Sequence, residues 1–112
     1  LPRIIGLPKA TAIMMTGEPI SAEKAEQIGM IYSVVNDEEF EEKSFNLALQ
    51  LATMPTKGLG YTKKLLNQSL HTTLEDQLNL EAEYQIQAAN TEDHKEGVSA
   101  FLEKRKAQFS GK

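Results

Sequence analysis

Apolar positions along the chain recur mostly at helical spacing, interrupted at short intervals by glycine and proline. Leu7 and Pro8 leading into Ala12 and Met15 predict a short helix over 8–16, with proline in its first turn and Gly17 as a left-handed stop. Gly17-Glu18-Pro19 then reads as a turn. Ser21 is placed to cap a helix of about two turns, with Glu23 in its first turn, Ala22, Ala25 and Ile28 on one stripe, and Gly29 at its close. Ile31-Tyr32-Ser33-Val34-Val35 is the one run of β-branched and aromatic residues, and it predicts a short strand or an extended connector.

The second half is more strongly periodic. Asn36 with Glu39 resembles a capping box, and Phe40, Leu47, Ala48, Leu51 and Ala52 form one face of a helix that Pro55 ends. A further helix runs from Pro55 or Thr56 through Leu59, Lys63, Leu66 and Leu70, with Gly58 and Gly60 read as sites of close packing. Thr72 with Glu75 forms a second capping box, opening a helix to Ala89 with Leu74, Leu78, Ala82 and Ile86 in line. Thr91 caps the last helix, whose one side carries Val98, Phe101, Leu102 and Phe109. About six helical segments and one short extended stretch make a mainly α protein, read as a single helical domain over 1–112.

Charge narrows the range of partners. With 12 Lys+Arg against 16 Asp+Glu the formal charge is −4, which disfavours nucleic acid. No apolar run approaches the roughly 20 residues of a membrane helix. The absence of cysteine removes disulfides and thiolate metal sites, two histidines make no cluster, and a cytoplasmic setting is the default. The start at Leu1-Pro2-Arg3-Ile4-Ile5-Gly6 has no initiator methionine and no signal-peptide layout, and reads as a cut end.

Charge is also uneven. Residues 18–43 hold eight acidic and two basic side chains, whereas 95–112 hold five basic (Lys95, Lys104, Arg105, Lys106, Lys112) and two acidic (Glu96, Glu103). The basic cluster suits either a phosphorylated ligand or compensation of a helix dipole. The carboxylates of 37–42 and the pair Glu92-Asp93 read as solvated, and His71 and His94 as surface histidines, so none qualifies as a catalytic base. No serine lies in a nucleophile elbow, and Lys63 breaks the dinucleotide pattern begun by Gly58 and Gly60. Tyr61 and Tyr84 read as partial core.

Three runs taken together resemble one family. They are Leu1-Pro2-Arg3-Ile4-Ile5-Gly6, then Thr16-Gly17-Glu18-Pro19-Ile20-Ser21-Ala22-Glu23-Lys24-Ala25 with Gly29, and Thr91-Glu92-Asp93-His94-Lys95-Glu96-Gly97-Val98-Ser99-Ala100-Phe101-Leu102-Glu103-Lys104-Arg105. In this order and spacing they look like the C-terminal part of the enoyl-CoA hydratase/isomerase (crotonase) superfamily. Gly29-Met30-Ile31-Tyr32, Leu51-Ala52-Thr53 and Gly58-Leu59-Gly60 look most like its epoxyphenylacetyl-CoA isomerase branch.

The resemblance implies an acyl-CoA thioester whose carbonyl is polarised by two backbone N–H groups while acidic side chains move protons nearby. Coenzyme A is then part of the substrate and no separate cofactor is needed. In the family both the oxyanion donors and the acid/base carboxylates lie upstream of the Leu-Pro-Arg run, in an N-terminal spiral domain. The resemblance therefore assigns no catalytic residue to this chain. It carries over the Ala-Phe-x-x-Lys-Arg motif of the last helix, in which Phe101 would cover the adenine face and Lys104 would meet a phosphate. The alternative makes Phe101 core and Lys104 a counter-charge to the helix dipole. The resemblance further implies a trimer or hexamer and no activity for these residues alone, and apolar faces left without a partner predict self-association.

Overall fold

The computed structural model describes residues 1–112. It contains seven helices and no strand: α1 (Pro2–Ile5), α2 (Leu7–Thr16), α3 (Ala22–Gln27), α4 (Asp37–Ala52), α5 (Thr56–Ser69), α6 (Leu74–Ala89) and α7 (Glu92–Leu102). None is long and apolar enough to cross a membrane. The chain divides into two compact units, Leu1–Lys43 and Ser44–Lys112, with the boundary inside α4.

In the first unit, α1 is a single turn that periodicity could not reveal. Gly6, at φ 82°, separates it from α2, and its carbonyl accepts the N–H of Ala10 at 3.1 Å. Gly17 stops α2 at φ 65°, its N–H donating to the Ile13 carbonyl. The Ser21 hydroxyl accepts the Lys24 N–H at 3.2 Å and opens α3, as the sequence predicts. Gly29, at φ 76°, reverses the chain so that the Met30 N–H reaches the Ala25 carbonyl at 2.8 Å. Residues 31–36 form an irregular connector.

In the second unit, α5 and α6 pack together through Tyr61 and Tyr84, whose ring centroids lie 5.2 Å apart. The Lys64 ammonium sits over both rings, 5.9 and 5.8 Å from their centroids. Both tyrosines are half-buried, in keeping with their reading as partial core. The cap of α6 falls one residue later than the sequence suggests: Thr73 accepts the Asp76 N–H at 3.2 Å. Thr72 is diverted to the Gln68 carbonyl and the Gln77 side chain, and so cannot serve as the cap. Gly58 and Gly60 are not sites of close packing within the chain, because a Cβ at either would meet nothing within 4 Å.

Thr91 joins α6 to α7. Buried at 8% exposure, it donates to the Ala88 carbonyl at 2.7 Å and accepts the His94 N–H at 3.1 Å, the predicted cap. The buried apolar residues are few, Ile5 and the three alanines Ala10, Ala25 and Ala100.

Candidate functional site

Helix α7 ends at Leu102, before Lys104, Arg105 and Lys106. The chain turns at Lys104, the one non-glycine residue with a positive φ, at 54°. The Lys104 N–H donates to the Phe101 carbonyl at 3.3 Å, and the Arg105 N–H returns to the Ala100 carbonyl at 3.0 Å. This is the helix-ending reversal normally built with glycine. Lys104, Arg105 and Lys106 therefore lie beyond the last turn of the helix.

Arg105 forks onto Glu96, with Nη1 and Nη2 at 2.6 and 2.9 Å from its two oxygens, while Nε donates to Glu103 at 2.7 Å. Glu96 also accepts the Gln108 N–H at 2.8 Å. The Arg105 guanidinium, followed by that amide, holds the Glu96 carboxyl down at about 2. Arg105, and then the Ser99 hydroxyl, lower Glu103 in the same direction. The ion pairs are Lys43–Glu39, Lys95–Glu92 and those of Arg105, so the Lys104 ammonium has no carboxylate partner.

Residues 106–112 fold back along α7. Their anchor is Asp93, which is only 2% exposed. Its carboxylate accepts the Ser110 N–H at 2.6 Å, the Gly111 N–H at 2.9 Å and the Ser110 hydroxyl at 3.3 Å. The Asp93 N–H donates to the Lys112 carbonyl at 3.1 Å. This corrects the expectation that Glu92 and Asp93 are both solvated: Glu92 faces water, paired with Lys95, and the returning tail covers Asp93. It also changes how Phe109 reaches the apolar side of α7. Phe109 lies outside the helix and is carried back by the tail, so that its ring would stand 3.6 Å from a Cβ added at Gly97.

Phe109 thereby closes one side of a cavity of about 420 Å³ whose walls include Pro55, Ala88, Val98 and Phe101. Phe101 itself is 82% exposed, so within this chain it is not core. The structure thus brings the two predicted site residues, Phe101 and Lys104, to the same helix end, one as an exposed ring and the other as an unpaired cation. An exposed ring and a lone ammonium suit a flat aromatic group that carries phosphate. His71 and His94 are both exposed, and no group of three or more acidic or histidine side chains is arranged to hold a metal ion. Sequence reasoning missed Asp93 and the role of Arg105, because both depend on the path of the tail.

The sequence profile of the enoyl-CoA hydratase/isomerase family matches residues 1–112. The chain belongs to that family. It is 46% identical over 112 residues to the 1,2-epoxyphenylacetyl-CoA isomerase of Escherichia coli K12, with 100% of this chain and 43% of that protein covered. It is 37% identical to the trans-2-decenoyl-[acyl-carrier-protein] isomerase of Streptococcus mutans, again with 100% and 43% covered. A crystal structure of enoyl-CoA hydratase from Bacillus anthracis superposes with a TM-score of 0.92 at 30% identity, over 99% of this chain and 43% of that one. The chain thus spans less than half the length of these family members and corresponds to their helical C-terminal part.

Proposed function

We propose that the chain is the C-terminal helical part of an acyl-CoA isomerase acting on 1,2-epoxyphenylacetyl-CoA, where it supplies a pocket lid, contacts to coenzyme A and a trimer interface. The observation that carries this reading is the exposed Phe101 ring on the same helix end as the unpaired Lys104. The 46% identity to the Escherichia coli isomerase supports the choice of substrate. In this reading Phe101 covers the adenine face and Lys104 meets a phosphate, fixing the nucleotide end so that the thioester is presented elsewhere. The backbone donors that polarise the thioester carbonyl and the carboxylates that shuttle protons come from a spiral domain outside these residues. The chain alone is then silent in catalysis.

Two measurements test this. Purified chain assayed on 1,2-epoxyphenylacetyl-CoA and on an enoyl-CoA is expected to give no turnover above blank, and turnover would overturn the division of labour. Calorimetric titration with coenzyme A is expected to detect binding that Lys104→Ala weakens. Binding indifferent to Lys104 would overturn the contact.

The likeness to the Bacillus anthracis enoyl-CoA hydratase supports a second reading, in which the same segment serves hydration of a double bond. Hydration of an enoyl-CoA by the intact enzyme, with no conversion of the epoxide, would select it.

The trimer interface draws support from apolar surface left uncovered. Within the second unit Leu66, Leu74, Leu78 and Ile86 are 64, 76, 55 and 64% exposed, well above what a self-sufficient core would leave. Sedimentation is expected to show concentration-dependent association, and a monomer at every concentration would contradict it. A helical assembly module without any ligand predicts the same association but no coenzyme A binding.

A further inference from the structure

Lys104 departs from the conformation its residue type favours. Positive φ is rare outside glycine because the Cβ crowds the backbone, and such residues persist only where their surroundings hold them. Here the holding groups are visible. Glu103 and Arg105, the residues on either side of Lys104, are joined by the Arg105 Nε–Glu103 bond at 2.7 Å. Arg105 is then anchored to α7 by its two bonds to Glu96, and Glu96 accepts the Gln108 N–H, which draws in the following tail. The same contacts occupy the carboxylate of Glu103, next to Lys104 in sequence, and that of Glu96 on α7. Without Arg105 those two negative charges would compete for the Lys104 ammonium and repel an approaching anion.

We propose that Arg105 is a positioning residue for Lys104: by forking onto Glu96 and bridging to Glu103 it fixes the left-handed bend that leaves the Lys104 ammonium free to receive a phosphate of the ligand. This rests on the reading of Lys104 as a coenzyme A contact. Arg105 itself touches no ligand in this scheme. The two-pronged geometry requires a guanidinium, since a lysine at the same position offers a single point charge and cannot hold both carboxylates in the same plane.

The test is calorimetric titration of the full chain with coenzyme A across Lys104→Ala, Arg105→Ala, Arg105→Lys and the double variant Lys104→Ala/Arg105→Ala. Lys104→Ala and Arg105→Ala are each expected to weaken binding by roughly ten-fold, the loss of about one charge-assisted contact. Arg105→Lys should lose nearly as much although it preserves charge, and the double variant should bind no more weakly than Lys104→Ala alone. If Lys104→Ala leaves affinity unchanged, or the unsubstituted chain does not bind, the coenzyme A reading falls and this inference with it. If Lys104→Ala weakens binding while Arg105→Lys, with native far-ultraviolet dichroism, does not, only the positioning role is overturned. A double variant showing the product of the two single losses would likewise overturn it, because Arg105 would then act independently of Lys104. Should Arg105→Ala fail to fold, the comparison of Arg105→Lys with Lys104→Ala decides the matter.

Discussion

Asp93 holds the backbone N–H of Ser110 at 2.6 Å across 17 residues of chain. The pairing fastens a segment with no secondary structure of its own onto the first turn of α7, where backbone N–H groups and the helix dipole favour a negative charge. Removing the carboxylate strands the Ser110 and Gly111 N–H groups in a part-buried setting. Asp93→Ala is therefore expected to destabilise the chain by about 1–3 kcal/mol, seen as a lower urea midpoint. Faster amide exchange at Ser110 and Gly111 should accompany it. Unchanged exchange at those two amides would show that Asp93 does not hold the tail.

Glu96 makes acid stability informative. Its carboxyl lies at about 2 in the folded chain against an ordinary 4.5, so the folded state favours the ionised form. Stability from this shift is fully present above the unfolded value and is lost as pH falls from 4.5 toward 2. Glu103 shifts in the same direction through Arg105, and Glu23 through its own backbone amide and then Ser21. The melting temperature is expected to drop across that acid range, and Glu96→Gln should make the drop shallower while lowering the neutral-pH value. An identical pH profile in the variant would remove Glu96 from the account.

The helices were legible because their signals are local. Ser21 and Thr91 cap where a hydroxyl before an apolar stripe suggests, and Gly17 and Gly29 stop helices through a conformation that glycine adopts freely. Phe101 and Lys104 could be singled out by motif, but their exposure and lack of partners could not. The tail was illegible for a physical reason. Glu103-Lys104-Arg105-Lys106-Ala107 has good helix propensity and no glycine, so nothing local ends α7 at Leu102. Long-range bonds from Glu96 and Asp93 override that propensity, and spacing along the chain does not encode them.

The conflict at Lys104 can be tested through stability. A left-handed bend costs a residue with a Cβ about 1–2 kcal/mol, whereas glycine is penalised mainly in the unfolded chain. Lys104→Gly is expected to stabilise the chain by about 0.5–1 kcal/mol in urea denaturation while weakening coenzyme A binding. Opposite movement of the two quantities is the signature of strain retained for a ligand. A variant that lost stability as well would show that the Lys104 side chain supports the fold.

Glycines provide the last contrast, because they serve different ends at different positions. Gly111 has φ 77°, and a Cβ there would lie 2.7 Å from the Thr56 hydroxyl at the start of α5. Both the backbone and the contact oppose a side chain, so Gly111→Ala should destabilise by about 1–2 kcal/mol and loosen the tail from Asp93. Gly60 is helical and its Cβ would meet open space, so Gly60→Ala should stabilise α5 by about 0.5–1 kcal/mol. Thermal melts of the two variants side by side test both statements. If Gly60→Ala gains stability yet weakens self-association in sedimentation, the glycine is kept for close approach of another chain, and the packing role absent within this chain belongs to the assembled protein.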